Sequence, residues 1–390
     1  MKTQVAIIGA GPAGLLLGQL LHKQGIDTLI IERKSPQYVL SRIRAGILED
    51  GTRKLLHEAG AGIRMELEGH VHFGVELAYD NDVHRIDFSE AVHSSVMVYG
   101  QTEVTQDLMK ERKNCGAPSI YEADDVVIEN YQGENCRISF KKDGVTHQVE
   151  ADFIAGCDGF HGVSRRTVQE KIVEYERLYP FGWLGLLVDE PPIAEELIYS
   201  NSKRGFALCS QRSLTRSRYY LQVALTDHVE DWTDAAFYDE LRQRIPQKYA
   251  DRLQGGKSLE KSIAPLRSFV AEPLRFDRLF LAGDAGHIVP PTGAKGLNLA
   301  ASDVRYLWQA FTEYYIEKSN AGINDYSKKA LARIWKAERF SWATTIMMHR
   351  FHESSAFDQK MQRTEFDYLV SSKAAQKAFA ENYTGLQSLD

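Results

Sequence analysis

Short apolar runs alternate with polar, glycine-containing breaks at the start of the chain. Val5 to Ile8 is a β-branched run of the kind found in strands that are buried on both faces. The segment "LLLGQLLHKQG" follows with apolar residues at helical spacing and stops at Gly25, and "DTLII" repeats the strand pattern. A strand, a helix and a second strand in this order predict a βαβ unit.

The pattern changes further along the chain. Between Pro180 and Ala264 the segments "GWLGLLV", "ELIYS", "GFALCSQ" and "SRYYLQVAL" alternate or run apolar with short polar breaks, which predicts a β-rich unit. From about Ala300 the spacing is helical, through "DVRYLWQAFTEYY" to a last segment that ends near Tyr383. We therefore expect a mixed α/β protein with a helical C-terminal region.

A glycine motif lies between the first strand and the first helix. Gly9, Gly11 and Gly14 in "GAGPAG" match GxGxxG, and Glu32 ends the second strand about 20 residues later. In this motif the glycines allow a tight turn, close approach of a pyrophosphate and close packing of helix on strand, and the acid accepts from a ribose hydroxyl. The alternative, that the glycines merely end a strand, does not explain the whole arrangement. The motif predicts an ADP moiety without choosing between FAD and NAD(P).

Two more acids follow strand-like segments. Asp158 comes after "DFIAG", and Asp284 comes after "RLFLAG". Either acid alone is readily explained as a turn residue. Open α/β sheets bind ligands at the carboxyl ends of their strands, so three such strand ends in one chain favour a shared ligand site.

Composition narrows the classes of partner. The 390 residues, 43% of them hydrophobic, suit a globular protein of two or three packed units. The net charge of -6 gives no basic field for nucleic acid. The four cysteines include no CxxC pair, which argues against a zinc site or a dense disulfide framework and fits a reducing cytoplasm, and we expect no metal site. The sequence begins without a basic leader and has no membrane-length apolar run, so we expect no membrane association.

The glycine motif with Glu32, the Asp158 segment and the Asp284 segment together resemble the three-part signature of the flavoprotein aromatic hydroxylases, which are single-component FAD monooxygenases. The resemblance extends through "SRIRAGILE", "YPFGWLGLL", "SIAPLRSF" and "ENYTGL", and departs from the usual pattern at Gly286, where a second alanine is more common. It implies a Rossmann-like FAD-binding domain over 1–178, completed by 266–320. A β-sheet substrate domain over 179–265 and a C-terminal helical or dimer region over 321–390 would complete the chain.

The resemblance also implies which residues contact FAD. Asp284 would bond the ribityl chain, and Asn298 would begin a helix whose N-terminal amides polarise the flavin ring. Lys295 would add positive potential near the flavin. Further residues implied to bind or line the cofactor are Ala13, Arg42, Arg44, Ala45, Gly46, Gln101 and Leu297.

A candidate substrate site lies in the β-rich unit. Ser210, Arg212 and Tyr220 offer a guanidinium fork and two hydroxyls, which suit a small carboxylate, although spacing alone favours a solvated strand face. The resemblance implies that these three residues bind a benzoate carboxylate. At the other end of the substrate it implies a phenol contact by Tyr199, Tyr383 and the carbonyl of Pro291, with a proton relay that ends at His72.

The reductant and the reaction are likewise implied by the resemblance. Arg33, Lys34 and Tyr38 would hold the 2'-phosphate of NADPH, and Arg44, His161 and Arg267 would receive its pyrophosphate. The members most similar in the middle segments use NADPH and O2, through a flavin hydroperoxide, to convert 4-hydroxybenzoate to 3,4-dihydroxybenzoate (protocatechuate). Members of the family are commonly homodimers. Two alternatives remain at this stage: a hydroxylase of another aromatic acid, such as 3-hydroxybenzoate or salicylate, and a non-catalytic FAD-binding redox sensor.

Overall fold

The computed structural model describes residues 1–41 and 46–385. Helices and strands cover most of these two ranges. The strands are β1 Lys2–Ile8, β2 Thr28–Ile31, β3 Ile47–Leu48, β4 His70–His72, β5 Gly74–Tyr79, β6 Asp82–Asp87, β7 Val96–Val98, β8 Ser119–Ile120, β9 Asp124–Glu129, β10 Cys136–Lys142, β11 Val145–Gly156, β12 Val173–Val188, β13 Ile198–Ser202, β14 Gly205–Ser213, β15 Arg216–Val223, β16 Ser258–Glu272, β17 Arg275–Phe276, β18 Leu279–Leu281 and β19 His287–Ile288. The α-helices are α1 Pro12–Lys23, α2 Pro36–Leu40, α3 Asp50–Glu58, α4 Ile63–Glu68, α5 Phe88–Val92, α6 Gln101–Asn114, α7 Val163–Thr167, α8 Asp234–Arg244, α9 Gln247–Ala250, α10 Gly296–Thr312, α11 Ala321–Met348, α12 Ala356–Ser371 and α13 Lys373–Thr384.

The first sheet has a parallel centre in the order β8, β2, β1, β11, β18. The apolar runs in β1, β2 and β18 are buried, as expected for parallel strands covered on both faces. In register, Ile8 lies opposite both Ile31 and Gly156, and Gly156 lies opposite Leu281. Because these strand ends are aligned, the loops that follow them meet at one edge of the sheet. The βαβ prediction is confirmed.

The second sheet has eight strands in the order β19, β16, β12, β15, β14, β13, β5, β6. Strands β5 and β6 come from the first quarter of the chain, and the long strands β12 and β16 pair along most of their length. The β-rich segment also contains two helices, of which α8 packs on the sheet through Phe237, Tyr238 and Leu241 and α9 through Tyr249 and Ala250. The division of the chain into domains at 178, 265 and 320 stays a prediction.

The C-terminal helices connect the two sheets. Helix α10 packs against α1 on the first sheet, and α11 packs against α10. At its C-terminal end α11 is tied to the second sheet, since the carbonyl of Met347 accepts a hydrogen bond from Asn201 Nδ2 at 2.9 Å. Within the residues described, no helix combines the length and the apolar character needed to cross a membrane.

Candidate active site

One cavity of about 1150 Å³ extends from the carboxyl edge of the first sheet to the second sheet. At one end it is lined by the glycine loop after β1 and by Glu32 after β2. At the other end it is lined by Tyr199, Arg212 and Tyr220. A single cavity therefore joins the predicted cofactor site to the predicted substrate site, and its size suits a ligand larger than a typical small molecule.

The glycine loop uses its three glycines in two ways. Gly9 has φ +104°, and a Cβ there would overlap the carbonyl of Cys157. A Cβ at Gly14 would overlap the carbonyl of Gly9. A Cβ at Gly11, in contrast, meets nothing within 4 Å and would extend into the space beside the N-terminus of α1. Gly9 and Gly14 are thus required by the fold, whereas Gly11 leaves room for a phosphate at the helix N-terminus. Ala13, on the first turn of α1, also lines the cavity.

Glu32 connects β2 to the glycine loop. Its Oε2 accepts a hydrogen bond from the backbone N–H of Ala10 at 2.8 Å, and its Oε1 accepts from the N–H of Lys34 at 2.7 Å. Each carboxylate oxygen retains a second lone pair, and Glu32 lines the cavity. The geometry therefore fits a ribose hydroxyl as an additional donor.

Asp158 and Asp284 lie at the same edge of the sheet. Asp158 Oδ2 accepts from the N–H of Ser164 at 2.8 Å, and burial raises the pKa of Asp158. Its Oδ1 is buried without a hydrogen-bond partner among the described residues. Asp284 follows β18 in a short turn and also lines the cavity. The buried Oδ1 and the open space at Gly11 fit a ligand with hydroxyl and phosphate groups, as FAD has.

A buried ion pair supports the Asp284 turn, and no sequence motif indicated it. His287 Nε2 lies 2.6 Å from Asp303 Oδ2, which also accepts from the N–H of Gly283 at 2.8 Å. Burial by itself would lower the pKa of His287, but the charge and hydrogen bond of Asp303 outweigh it and raise that pKa. The pair joins β19 to α10 directly behind the turn.

Arg212 is the cation at the substrate end of the cavity. Its Nη2 donates to the hydroxyl of Tyr220 at 3.3 Å, and its Nε is buried without a hydrogen-bond partner among the described residues. Over the described ranges no carboxylate forms an ion pair with it, and burial lowers its pKa. Strands β14 and β15 are paired neighbours, so Ser210, Arg212 and Tyr220 all line the same part of the cavity. Such a group is suited to bind an anion.

Tyr199 also lines this part of the cavity, and its hydroxyl meets that of Tyr383. The hydroxyls of Tyr199 and Tyr383 lie 3.1 Å apart, and the side chains are 1% and 2% exposed. Burial raises the pKa of Tyr199 to about 12 and also raises that of Tyr383. Both hydroxyls are therefore neutral near pH 7, and each can accept one hydrogen bond while donating another.

His72 lies close to this region but does not bond to Tyr383. Its Nε2 is 3.1 Å from Gln211 Oε1, and burial lowers its pKa. An amide oxygen only accepts, so Nε2 carries the hydrogen and Nδ1 carries the lone pair. That Nδ1 is buried without a partner among the described residues. Gln211 lines the cavity, and the sequence did not single it out.

Pro291 and Lys295 line the cavity between the two ends. Lys295 is buried, and its Nζ donates to Glu49 Oε1 at 2.6 Å and to the carbonyl of Tyr383 at 2.8 Å. Burial lowers the pKa of Lys295, while the charge of Glu49 acts in the opposite direction. Glu49 also accepts from Arg333 Nη2 at 2.8 Å. No sequence pattern indicated Glu49, which lies 246 positions before Lys295 in the chain.

The remaining predicted cofactor residues lie in different surroundings. Gly46, Gln101 and Leu297 line the cavity. The side chain of Asn298 instead bonds to the protein, since its Oδ1 accepts from the N–H of Glu49 at 2.9 Å and its Nδ2 donates to the carbonyl of Ile47 at 2.7 Å. Helix α10 begins at Gly296, two residues before Asn298. Arg42, Arg44 and Ala45 lie outside the described residues.

The residues predicted to bind NADPH are divided between two places. Arg33, Lys34, Tyr38 and His161 line the cavity. The ammonium of Lys34 lies 5.2 Å from the centre of the Tyr38 ring. Arg267 does not line the cavity; it pairs with Glu176 at 3.2 Å, and its guanidinium lies 4.6 Å from the centre of the Phe160 ring.

Comparison with known proteins identifies the class. The family described as "FAD binding domain" matches residues 2–341, and the chain belongs to this family of flavoproteins, among the aromatic hydroxylases. It is similar to p-hydroxybenzoate hydroxylase of Acinetobacter baylyi, with 56% identity over 99% of this chain and 96% of that protein.

More distant similarities agree with the fold. A rifampicin monooxygenase of Streptomyces venezuelae is 26% identical over 88% of this chain and 69% of that protein. The crystal structure of p-nitrophenol 4-monooxygenase from Pseudomonas putida superimposes with a TM-score of 0.80, covering 99% of both chains at 16% identity. At that identity the structural similarity shows the fold alone. The chain is an enzyme of the flavin monooxygenase class.

Proposed function

We propose that this enzyme uses FAD, NADPH and O2 to hydroxylate 4-hydroxybenzoate at its 3-position, giving 3,4-dihydroxybenzoate. The observation that carries the proposal is that the end of the cavity away from the glycine loop is lined both by the Arg212 guanidinium, which has no carboxylate partner among the described residues, and by Tyr199, whose hydroxyl meets that of Tyr383. The 56% identity to a p-hydroxybenzoate hydroxylase supports the same substrate. When bound, FAD supplies the activation of O2.

The chain's own residues would bind and orient the substrate. Arg212, with the hydroxyls of Ser210 and Tyr220, would hold the carboxylate by charge-assisted hydrogen bonds. The substrate hydroxyl would then lie near Tyr199 and the carbonyl of Pro291. Of these groups Tyr199 is buried, whereas Arg212 and Tyr220 are partly exposed and line the cavity.

The tyrosine pair would activate the substrate. A free phenol titrates near pH 10, and its neutral form is a poor nucleophile toward an electrophilic oxygen. Tyr199 would accept the phenolic proton while passing its own to Tyr383. His72, neutral and with an unpartnered Nδ1, would be the terminal acceptor, reached through water since no direct bond joins it to Tyr383 in the part of the chain that the structure describes.

NADPH rather than NADH would be the reductant. Two cations and a tyrosine beside the end of β2 are suited to a 2'-phosphate. NADPH would therefore give the higher kcat/KM, and equal values for the two nucleotides would contradict the assignment.

Substitution of His161 or Arg267 would raise the KM for NADPH and leave the FAD content intact. Loss of flavin would instead show a structural role for these residues.

We also propose that the enzyme is a cytoplasmic homodimer that does not bind nucleic acid. The described cysteines are all free, which supports a reducing cytoplasm. The net charge of -6 offers no general attraction for nucleic acid. Trp335 and Trp342 are 40% and 43% exposed on α11, which supports a homodimer that covers them. Light scattering at micromolar concentration would give the mass of a dimer, and a monomer mass would contradict it.

One experiment separates the proposed function from its alternatives. NADPH oxidation, O2 uptake and product are measured with purified enzyme alone, with 4-hydroxybenzoate, and with 3-hydroxybenzoate or salicylate. We expect rapid oxidation and 3,4-dihydroxybenzoate with 4-hydroxybenzoate only. Hydroxylation of one of the other acids instead would assign the enzyme to that acid, and no stimulation by any acid would favour a redox sensor.

A further inference from the structure

One buried histidine lies where the end of α11 meets the wall of the cavity. His349 is the residue that follows α11, and its side chain is 0% exposed. Its ring lies between Phe181, whose centre is 4.8 Å away, and Phe206, whose centre is 4.2 Å away. Because both faces of the ring are covered, its two nitrogens must find hydrogen-bond partners at the ring edges.

Both nitrogens have such partners. Nδ1 lies 3.0 Å from the carbonyl oxygen of Thr345, and Nε2 lies 2.7 Å from Trp183 Nε1. A carbonyl only accepts and an indole N–H only donates, so Nδ1 carries the hydrogen and Nε2 accepts from Trp183. The planes of the His349 and Trp183 rings differ by 13°, as expected for a hydrogen bond in the plane of both rings. Burial lowers the pKa of His349 to about 3, which keeps the ring neutral near pH 7.

Trp183 is part of the cavity wall. It lies on β12 with 4% exposure, and its ring centre is 5.2 Å from that of Tyr220. Tyr220 in turn accepts the hydrogen bond from Arg212. The direction in which the Trp183 indole points therefore sets the surface against which an aromatic acid anchored at Arg212 would lie.

Thr345 continues the network to the opposite wall. Its Oγ1 lies within hydrogen-bond distance of two acceptors, the carbonyl of Ser341 at 2.7 Å and the hydroxyl of Thr292 at 2.9 Å, and its one hydrogen can be donated to either. Thr292 is fully buried and directly follows Pro291, which lines the cavity. One hydrogen-bonded path thus runs from Trp183 through His349 and Thr345 to the turn that precedes α10.

We propose that His349 is a positioning residue for the hydroxylation. It fixes Trp183 and, through Thr345, the turn that contains Pro291, so that the substrate ring keeps one orientation between the two walls. This inference rests on the proposed function, because the ring to be positioned is that of 4-hydroxybenzoate. A substrate held less firmly would still trigger NADPH oxidation but would receive oxygen less often.

Four variants test the two hydrogen bonds of His349, to Trp183 and to Thr345, one at a time or together. The amide of asparagine reaches roughly the position of Nδ1, so His349→Asn retains a donor for Thr345 and loses the acceptor for Trp183. The longer His349→Gln retains an acceptor for Trp183. His349→Phe keeps an aromatic ring in the stack and loses both bonds, and Trp183→Phe removes the donor from the other side.

The first readout is the ratio of dihydroxybenzoate formed to NADPH consumed. We expect His349→Gln to stay within about twofold of the unsubstituted enzyme. His349→Asn and Trp183→Phe would lower the ratio roughly fivefold, the factor that corresponds to one lost buried hydrogen bond, and His349→Phe, which loses both bonds, would lower it at least as much. Equal ratios in all the variants would overturn the inference. If the His349 variants fail to fold, an unchanged ratio in Trp183→Phe overturns it and a reduced ratio supports it.

The second readout does not depend on turnover. The difference between the tryptophan emission spectra of the unsubstituted enzyme and of Trp183→Phe gives the emission of Trp183 itself. That emission depends on the hydrogen bond of the indole. His349→Asn and His349→Phe should shift that contribution, and His349→Gln should not. A merely structural role would lower the melting temperature of all three without separating glutamine from asparagine. If the unsubstituted enzyme makes no dihydroxybenzoate, the proposed function is wrong. If the Trp183 emission is unshifted in His349→Asn and His349→Phe, His349 does not fix the indole.

Discussion

At the scale of single residues, the substrate end of the cavity depends on one guanidinium. Arg212 has a hydroxyl partner at 3.3 Å and a buried Nε that bonds to nothing described. Lysine in its place keeps the charge but loses the planar fork. Arg212→Lys should therefore weaken the binding of 4-hydroxybenzoate about 10- to 100-fold, since each charge-assisted bond contributes about 1.5 to 3 kcal/mol. Binding titrations with 4-hydroxybenzoate and an uncharged phenol check this, and equal losses for both ligands would place the anchor elsewhere.

Substitution of Tyr199 should distinguish NADPH oxidation from hydroxylation of the substrate. The variant Tyr199→Phe loses the hydroxyl that meets Tyr383 at 3.1 Å, whereas Arg212 and the cofactor end are unchanged. Substrate should still bind and NADPH should still be consumed, but the phenol would no longer be deprotonated. The step that transfers oxygen should slow about 100-fold, with H2O2 formed in place of product. Assays of dihydroxybenzoate and peroxide against NADPH check this; a variant as well coupled as the unsubstituted enzyme would contradict the relay.

The buried pair of His287 and Asp303 predicts a dependence of stability on pH. Its partner raises the pKa of His287 in the folded protein above the unfolded value near 6.5. The stabilisation is therefore complete below about pH 6.5 and is lost as the pH rises through the raised folded pKa. In urea unfolding, the advantage of the unsubstituted protein over His287→Gln should shrink from pH 6 to 9, by about 1.4 kcal/mol per unit of pKa difference. An advantage that is constant or grows with pH would contradict a protonated His287.

Local patterns predicted some of these residues and missed others for a physical reason. Arg212 and Tyr220 lie within one hairpin, so the spacing of their strands already brings them together. Lys295 and Glu49, in contrast, meet across 246 positions, and Trp183 and His349 across 166. Such partners are chosen by packing, and no feature of either sequence segment identifies the other.

At the scale of elements, the glycine loop gives a prediction that separates folding from binding. The backbone of Gly11 has φ -71°, which alanine adopts without strain, and the added methyl group meets only open space. Gly11→Ala should therefore change the free energy of unfolding by less than about 0.5 kcal/mol, yet block the approach of the pyrophosphate and lower the FAD content. Gly14→Ala is the matched control, because its methyl group overlaps Gly9 and should destabilise the fold itself. Full flavin content in Gly11→Ala would contradict this location of the phosphates.

The elements themselves were largely predictable where the pattern is local. The run from Val5 to Ile8 and the helix after it are local in sequence, and both appear as expected. The helices α8 and α9 within the β-rich segment were not predicted, because α8 buries only Phe237, Tyr238 and Leu241 among its apolar residues and α9 is a single turn of four residues. The membership of β5 and β6 in the second sheet also could not be predicted, because β5 pairs with β13 far along the chain.

In the whole molecule, we propose that one cavity brings a flavin and 4-hydroxybenzoate together for oxygen transfer. The alignment of four strand ends provides the cofactor edge, and α11 links that half to the sheet that carries Arg212. Neither half alone contains a complete site. Oxygen transfer to the substrate therefore requires both halves of the chain.

The most direct test is turnover under isotopically labelled oxygen. Enzyme with bound flavin is supplied with NADPH, 4-hydroxybenzoate and ¹⁸O2, and the product is analysed by mass spectrometry. We predict 3,4-dihydroxybenzoate that carries one ¹⁸O atom per molecule, formed in step with NADPH consumption. Product without the label, or NADPH consumption that yields only H2O2 in the unsubstituted enzyme, would contradict oxygen transfer in this cavity.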